Sequence, residues 1–140
     1  MIAARPATDL PLWRLYVLRA MYAVIGLLQG SQTWTHIFHR VTPWDFWHGV
    51  GESFLGALTA LCLLGIRYPV RMLPLMIFEL AWKSVWTFGV WLPLKLANHV
   101  DPDTADNFVS IAAGVVVVPL LLPWGYIWKN FVTAPGDRWK

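Results

Sequence analysis

The sequence predicts an all-α integral membrane protein, an antiparallel four-transmembrane-helix bundle over residues 1–140 with N- and C-termini cytoplasmic. Three observations carry that expectation. Hydrophobic residues make up 57% of the chain and charged residues 14%, against about 45–50% and about 25% in soluble domains. Four apolar stretches approach the roughly 20 helical residues that cross about 30 Å of hydrocarbon. Ten tryptophans suit the hydrocarbon–water boundary, where indole is favoured.

The first span is expected over residues 15–36. Arg19 interrupts its apolar run and no small-x-small cleavage site follows, so it reads as a retained helix rather than a signal peptide. The second span, 47–66, can begin early, with Thr42 as N-cap, Pro43 at the first helical position and Asp45 in the first turn. The third, 73–92, is bracketed by Pro74 and Pro93. The fourth, 108–127, follows Asp101-Pro102-Asp103, a helix-start signature. Pro119 and Pro123 predict a kink near residues 115–119.

Loop charges set the orientation. With the N-terminus inside, Arg5, Arg14, Arg19, Arg67, Arg71, Lys129, Arg138 and Lys140 lie on the inner side, and only Arg40 and Lys95 on the outer. The outer side also carries Asp45, Asp101, Asp103, Asp106 and the four histidines, His36, His39, His48 and His99. Trp13, Trp124 and Trp128 would mark the inner interface, and Trp34, Trp44, Trp47 and Trp91 the outer. Trp82 and Trp86 lie deeper. A bacterial cytoplasmic (inner) membrane, with its lipids as partners, is the expected location. The net charge of +3 comes from dispersed residues with no basic stripe, so no nucleic-acid partner is expected.

Ionisable groups at bilayer depth are costly and mark functional candidates. Glu79 and Lys83 sit near the middle of the third span. At about 1.5 Å per residue, Arg19 lies roughly 9 Å inward of the first helix's centre and Glu52 roughly 7 Å outward of the second's. Arg19–Glu79 and Lys83–Glu52 are therefore the expected interhelical pairs, and Glu79–Lys83 can also pair at i, i+4. Helical spacing aligns Tyr22, Gln29, Thr33 and His36 on the first helix. It likewise aligns His48, Glu52, Gly56 and Thr59 on the second, and Glu79, Lys83 and Trp86, flanked by Trp82, on the third. Three polar faces would then share one interior, which the fourth helix seals.

Three readings of that interior stay open. The pairs can be structural, fixing helix register. They can line a polar cavity for a small amphipathic ligand such as a quinone or lipid, where Trp82 and Trp86 would hold a flat or cationic group. They can serve proton or ion passage.

Weaker signals remain. Gly26-xxx-Gly30 permits close helix approach, within the bundle or in a dimer. His36, His39, His48 and His99 are metal-ligand types without a tight motif, and solvated interfacial histidines explain them better. The acidic run at 101–106 lacks the glycine and distal glutamate of a calcium loop. Cys62, the single cysteine, excludes an internal disulfide and a CxxC redox motif. No GxSxG, P-loop, GxGxxG or HExxH occurs.

Arg19 followed by the Gly26–Gly30 region, then Gly51-Glu52-Ser53-Phe54-Leu55-Gly56-Ala57, then Leu64-Gly65-Ile66-Arg67 leading to Pro69, resembles the pattern of DoxX-like small bacterial four-helix membrane proteins. The pattern covers about half the chain. The resemblance implies a four-helix bundle acting as a membrane subunit of quinone-linked or thiol-linked redox systems. The tryptophan content and the Glu79–Lys83 pair have no counterpart in it.

The leading functional expectation is non-catalytic, with no obligatory cofactor. A polar core of Arg19, Tyr22, Gln29, His48, Glu52, Glu79, Trp82, Lys83 and Trp86 would bind a quinone or lipid-like amphiphile, or stabilise a homo-oligomer or larger membrane complex. The alternatives are a redox or lipid-modifying enzyme subunit using Glu52 or Glu79 for proton transfer, and an oligomeric transporter or channel.

Overall fold

A computed structural model describes residues 9–39 and 43–137, and its ordered elements are all helical. Helix α1 covers residues 12–38, with a π-helical stretch at Val24–Gln29. Helix α2 is Phe46–Arg67, α3 is Leu73–Leu96 and α4 is Pro102–Leu121. A short helix α5 follows over residues 124–132.

Helices α2, α3 and α4 are long and apolar enough to cross a membrane. Helix α1 is long enough but more polar, since Arg14, Arg19, Gln29, Ser31 and Gln32 all fall within it. Three spans rather than four thus stand on length and composition.

The helix ends follow local chemistry. Helix α2 begins at Phe46 because the Asp45 side chain accepts the His48 amide at 2.8 Å, an N-cap bond that satisfies one orphan donor. Pro43 therefore lies before the helix rather than at its first position, and Thr42 lies outside the described residues. Helix α4 starts at Pro102, well before Phe108, because Asp101 accepts both the amide and the hydroxyl of Thr104, at 2.9 and 2.6 Å. These bonds hold the Asp101 carboxyl below its ordinary value, the hydroxyl contributing most.

One proline expectation is corrected. Pro93 does not end α3: the π-helical turn Thr87–Trp91 ends two residues before it, and a widened turn accommodates the ring and the missing donor. The helix closes instead at Asn98, whose φ of 53° is a left-handed cap conformation that asparagine tolerates. Residues 115–119, where a kink is expected, stay within one continuous helix. Pro119 is carried inside α4, and the break falls at Leu122, with φ −66° and ψ 138°. Leu122 precedes Pro123, and a residue before proline is pushed toward extended backbone.

The helices pack as two close antiparallel pairs. A Cβ on Gly26 would meet Leu63 at 2.9 Å and the Thr59 carbonyl at 3.3 Å, and one on Gly30 would meet Thr59 at 3.3 Å. The Gly26–Gly30 spacing thus serves α1–α2 packing inside the chain. Lower on the same seam, the Tyr22 ring lies directly on Gly65, leaving no room for a Cβ. On the other side α3 packs on α4, where the Trp91 and Phe108 rings stack 3.8 Å apart. Contacts between α2 and α3 are sparse. The apolar core joins the pairs near one end, through Leu18, Tyr22, Leu58, Cys62, Leu73, Met76, Val118 and Leu122.

That end, where α1 and α3 begin and α2 and α4 finish, is basic, and the opposite end is acidic. At the basic end Arg19 donates to the Ile66 carbonyl at 3.1 Å and Arg14 to the Leu122 carbonyl at 3.4 Å. Both arginines serve the C-terminal carbonyls of neighbouring helices, which lack intrahelical donors.

Candidate functional site

Glu79 is fully buried and Lys83 is 9% exposed. One helical turn apart on α3, they form an ion pair with Lys83 Nζ 2.7 Å from Glu79 Oε1. The second oxygen accepts the indole N–H of Trp82 at 2.6 Å. Oε1 receives the ammonium off the hydrogen-bonding direction and has no aligned donor. The Lys83 amine also lies 5.6 Å from the Trp82 ring centroid, within cation–π range. One helix thus supplies the anion, its counter-ion and a hydrogen-bond donor.

The seat for the lysine comes from α4. A Cβ on Gly114 would lie 2.6 Å from Lys83 Cδ and 2.8 Å from its Nζ. Sequence reasoning assigned α4 a sealing role and missed this glycine. The only available signal was the run of small residues Ala112-Ala113-Gly114 in an otherwise bulky helix. Further along the α3 stripe, the Thr87 hydroxyl is buried without a hydrogen-bond partner.

The two expected interhelical pairs do not form. Arg19 serves Ile66 rather than Glu79, because α1 packs on α2 and its arginine meets that helix's C-terminus first. Lys83 turns to Glu79 rather than Glu52 for a geometric reason. Side chains on a helix lean toward its N-terminus, so on antiparallel helices Lys83 leans to the basic end and Glu52 to the acidic end. Their separation grows instead of closing.

Glu52 instead lies between two imidazoles, its Oε1 3.7 Å from His36 Nδ1 on α1 and 3.8 Å from His48 Nε2 on α2. Its other oxygen is buried without a hydrogen-bond partner. His48 stacks on Trp44 at 5.2 Å. His39 and His99 are exposed at the acidic end. Among the described residues, no three of His, Cys, Asp or Glu are grouped so as to hold a metal ion.

The anticipated single polar interior is therefore two seams. Thr33, His36, Glu52 and Thr59 occupy the α1–α2 seam, with Gln29 half-buried on α1. Glu79, Lys83 and Thr87 occupy the α3 side, against Gly114. Tyr22 belongs to the core, its hydroxyl donating to the Pro69 carbonyl at 2.9 Å. Trp86 is half-buried and shares no described contact with the ion pair.

Beside the Glu79–Lys83–Trp82 cluster, the sparse α2–α3 contact leaves a groove of about 400 Å³ lined by Gly51, Phe54, Leu55, Leu58, Phe78 and Trp82, with apolar atoms only. The Trp82 indole forms part of its wall while its N–H is turned to the carboxylate. A larger, more open hollow lies at the acidic end between Ile37 and the start of α2, near Trp44 and Phe46.

Comparison of the chain with known protein families, with curated proteins and with solved structures returns no match.

Proposed function

We propose that the protein is a non-catalytic, membrane-embedded binding protein for a lipid-phase amphiphile, whose apolar tail occupies the α2–α3 groove beside the Glu79–Lys83–Trp82 cluster. One observation carries this reading: a groove of about 400 Å³ with no polar lining ends on a tryptophan that a buried carboxylate holds in place. The ion pair fixes the wall, and the wall accepts hydrocarbon. Lys83 neutralises the Glu79 carboxylate at 2.7 Å and Trp82 donates to its other oxygen, which favours an anchoring role over proton transfer.

The setting belongs to the same proposal. α1 would be a fourth span beside the three apolar helices, both termini would be cytoplasmic, and the membrane would be a bacterial inner membrane. The DoxX-like resemblance supports quinones among the candidate amphiphiles.

Gly51→Leu tests the reading. A Cβ at Gly51 meets nothing within 4 Å, and leucine is a better helix former than glycine, so the variant fills the groove without disturbing the fold. Native mass spectrometry of gently extracted protein is expected to show a retained amphiphile in the parent chain and its loss in Gly51→Leu. An empty parent groove, or equal retention in both, would overturn the reading.

A second reading, an accessory subunit of a larger membrane complex, is favoured by α4, the least buried of the three apolar helices. Blue-native mass separates the two, since an isolated protomer with a bound amphiphile supports only the first.

A further inference from the structure

Arg67 closes α2, and Arg71 stands in the five-residue connection to α3. Both guanidinium groups gather on one ring, Arg67 at 5.5 Å and Arg71 at 5.9 Å from the Tyr68 centroid. Both arginines are exposed. Among the described residues, neither has a carboxylate within ion-pair distance. Two like charges beside one ring repel, and an anion drawn to that ring would be attracted by both.

Three hydrogen bonds tie the turn down. Tyr22 bonds the Pro69 carbonyl, Arg19 bonds the Ile66 carbonyl, and the Met72 amide donates to the Tyr68 carbonyl at 3.1 Å. Helix α3 starts directly afterwards with no acidic residue in its first turn, so the positive end of its dipole is uncompensated there.

We propose that Arg67, Tyr68 and Arg71 form a phosphate clamp, and that the phosphate belongs to an anionic phospholipid headgroup. Arginine forks match phosphate oxygens in bidentate fashion. The turn joins two helices that are each long and apolar enough to cross a membrane, which puts it at headgroup depth. This inference is independent of the α2–α3 groove.

The test reconstitutes the protein in nanodiscs of equal phosphatidylcholine and phosphatidylglycerol and reads retained lipid by native mass spectrometry. The parent chain is expected to retain phosphatidylglycerol preferentially. Arg67→Gln with Arg71→Gln should weaken that retention about 30-fold, the effect of two juxtamembrane cations, with helicity unchanged because both side chains are exposed. Arg67→Lys with Arg71→Lys should fall between, since lysine keeps the charge and loses the fork. Equal retention of the two lipids by the parent, an unchanged preference in the glutamine variant, or a lysine variant equal to the parent would overturn the clamp. Displacement of phosphatidylglycerol by inorganic phosphate would assign the site to soluble phosphate and overturn the lipid source.

Discussion

Glu79 and Glu52 are both carboxylates on apolar helices, yet their surroundings differ in every respect that sets an energy. Glu79 is fully buried and finds its cation one turn away on its own helix, at 2.7 Å. Glu52 reaches across to α1, and its imidazole neighbours are two-thirds and about half exposed, at 3.7 and 3.8 Å. The first pair has no water to fall back on, so losing one partner strands a charge. The second is screened and charged only when an imidazole is protonated. Position in the bundle, rather than residue type, decides what each carboxylate contributes.

The largest effect should come from splitting the buried pair. Glu79→Gln or Lys83→Met alone is expected to cost about 3–5 kcal/mol by leaving an uncompensated charge, while the double variant should recover most of the loss. Unfolding in graded detergent mixtures measures all three. A double variant as unstable as either single would mean that the charges also serve a partner beyond each other.

Gly114→Ala comes next. Its new methyl would occupy the space of Lys83 Cδ and Nζ, and overpacking of this kind costs about 1–3 kcal/mol. The same unfolding assay reads it, and adding Lys83→Met should remove the penalty, because the clash is with that side chain. Persistence of the penalty would place the crowding in the α3 backbone instead.

Glu52→Gln should cost less than about 1 kcal/mol, because its imidazole neighbours are at least half exposed and stand beyond hydrogen-bond distance at 3.7 and 3.8 Å. A loss comparable to that of Glu79→Gln would erase the contrast between the two sites.

The smallest effect is at the acidic end. Because Asp101 titrates below its ordinary value when folded, its capping contribution is present above the usual carboxylate pKa of about 3.9. It is lost as pH falls through the lower folded value. Hydrogen exchange at the Thr104 amide should therefore lose protection in strong acid, and Asp101→Ala should abolish that dependence. Unchanged protection in the variant would show that the cap does not hold the start of α4.

Much of the fold was legible before any coordinates. Apolar length placed α2 and α3 within a few residues, since hydrocarbon thickness and helical rise fix how many residues a span needs. The Asp101-Pro102 signature announced a helix start, yet the span was expected only from Phe108, because hydropathy ignores the polar first turns that a cap allows. Pro93 was read as a stop and Pro119 as a kink. A π-helical turn absorbs the first, and α4 carries the second without interruption.

The candidate site was half legible. Glu79 and Lys83 were identifiable because charges in a 20-residue apolar run are rare and costly, and their i, i+4 spacing allowed the observed pair. Their neighbours were not. Gly114 is the absence of a side chain, and it became meaningful only when α4 came to lie against Lys83.

Sequence by itself determined the helical class, three of the four expected apolar helices, the charge asymmetry between the two ends and the presence of a charged pair deep in α3. Tertiary structure decided which charges meet. Hydropathy and helical periodicity are properties of one helix at a time, whereas a contact depends on which helices are neighbours and which way their side chains lean. With α1 closed onto α2 and α3 onto α4, Arg19 found a carbonyl, Glu52 found histidines, and Lys83 was left with the carboxylate on its own helix.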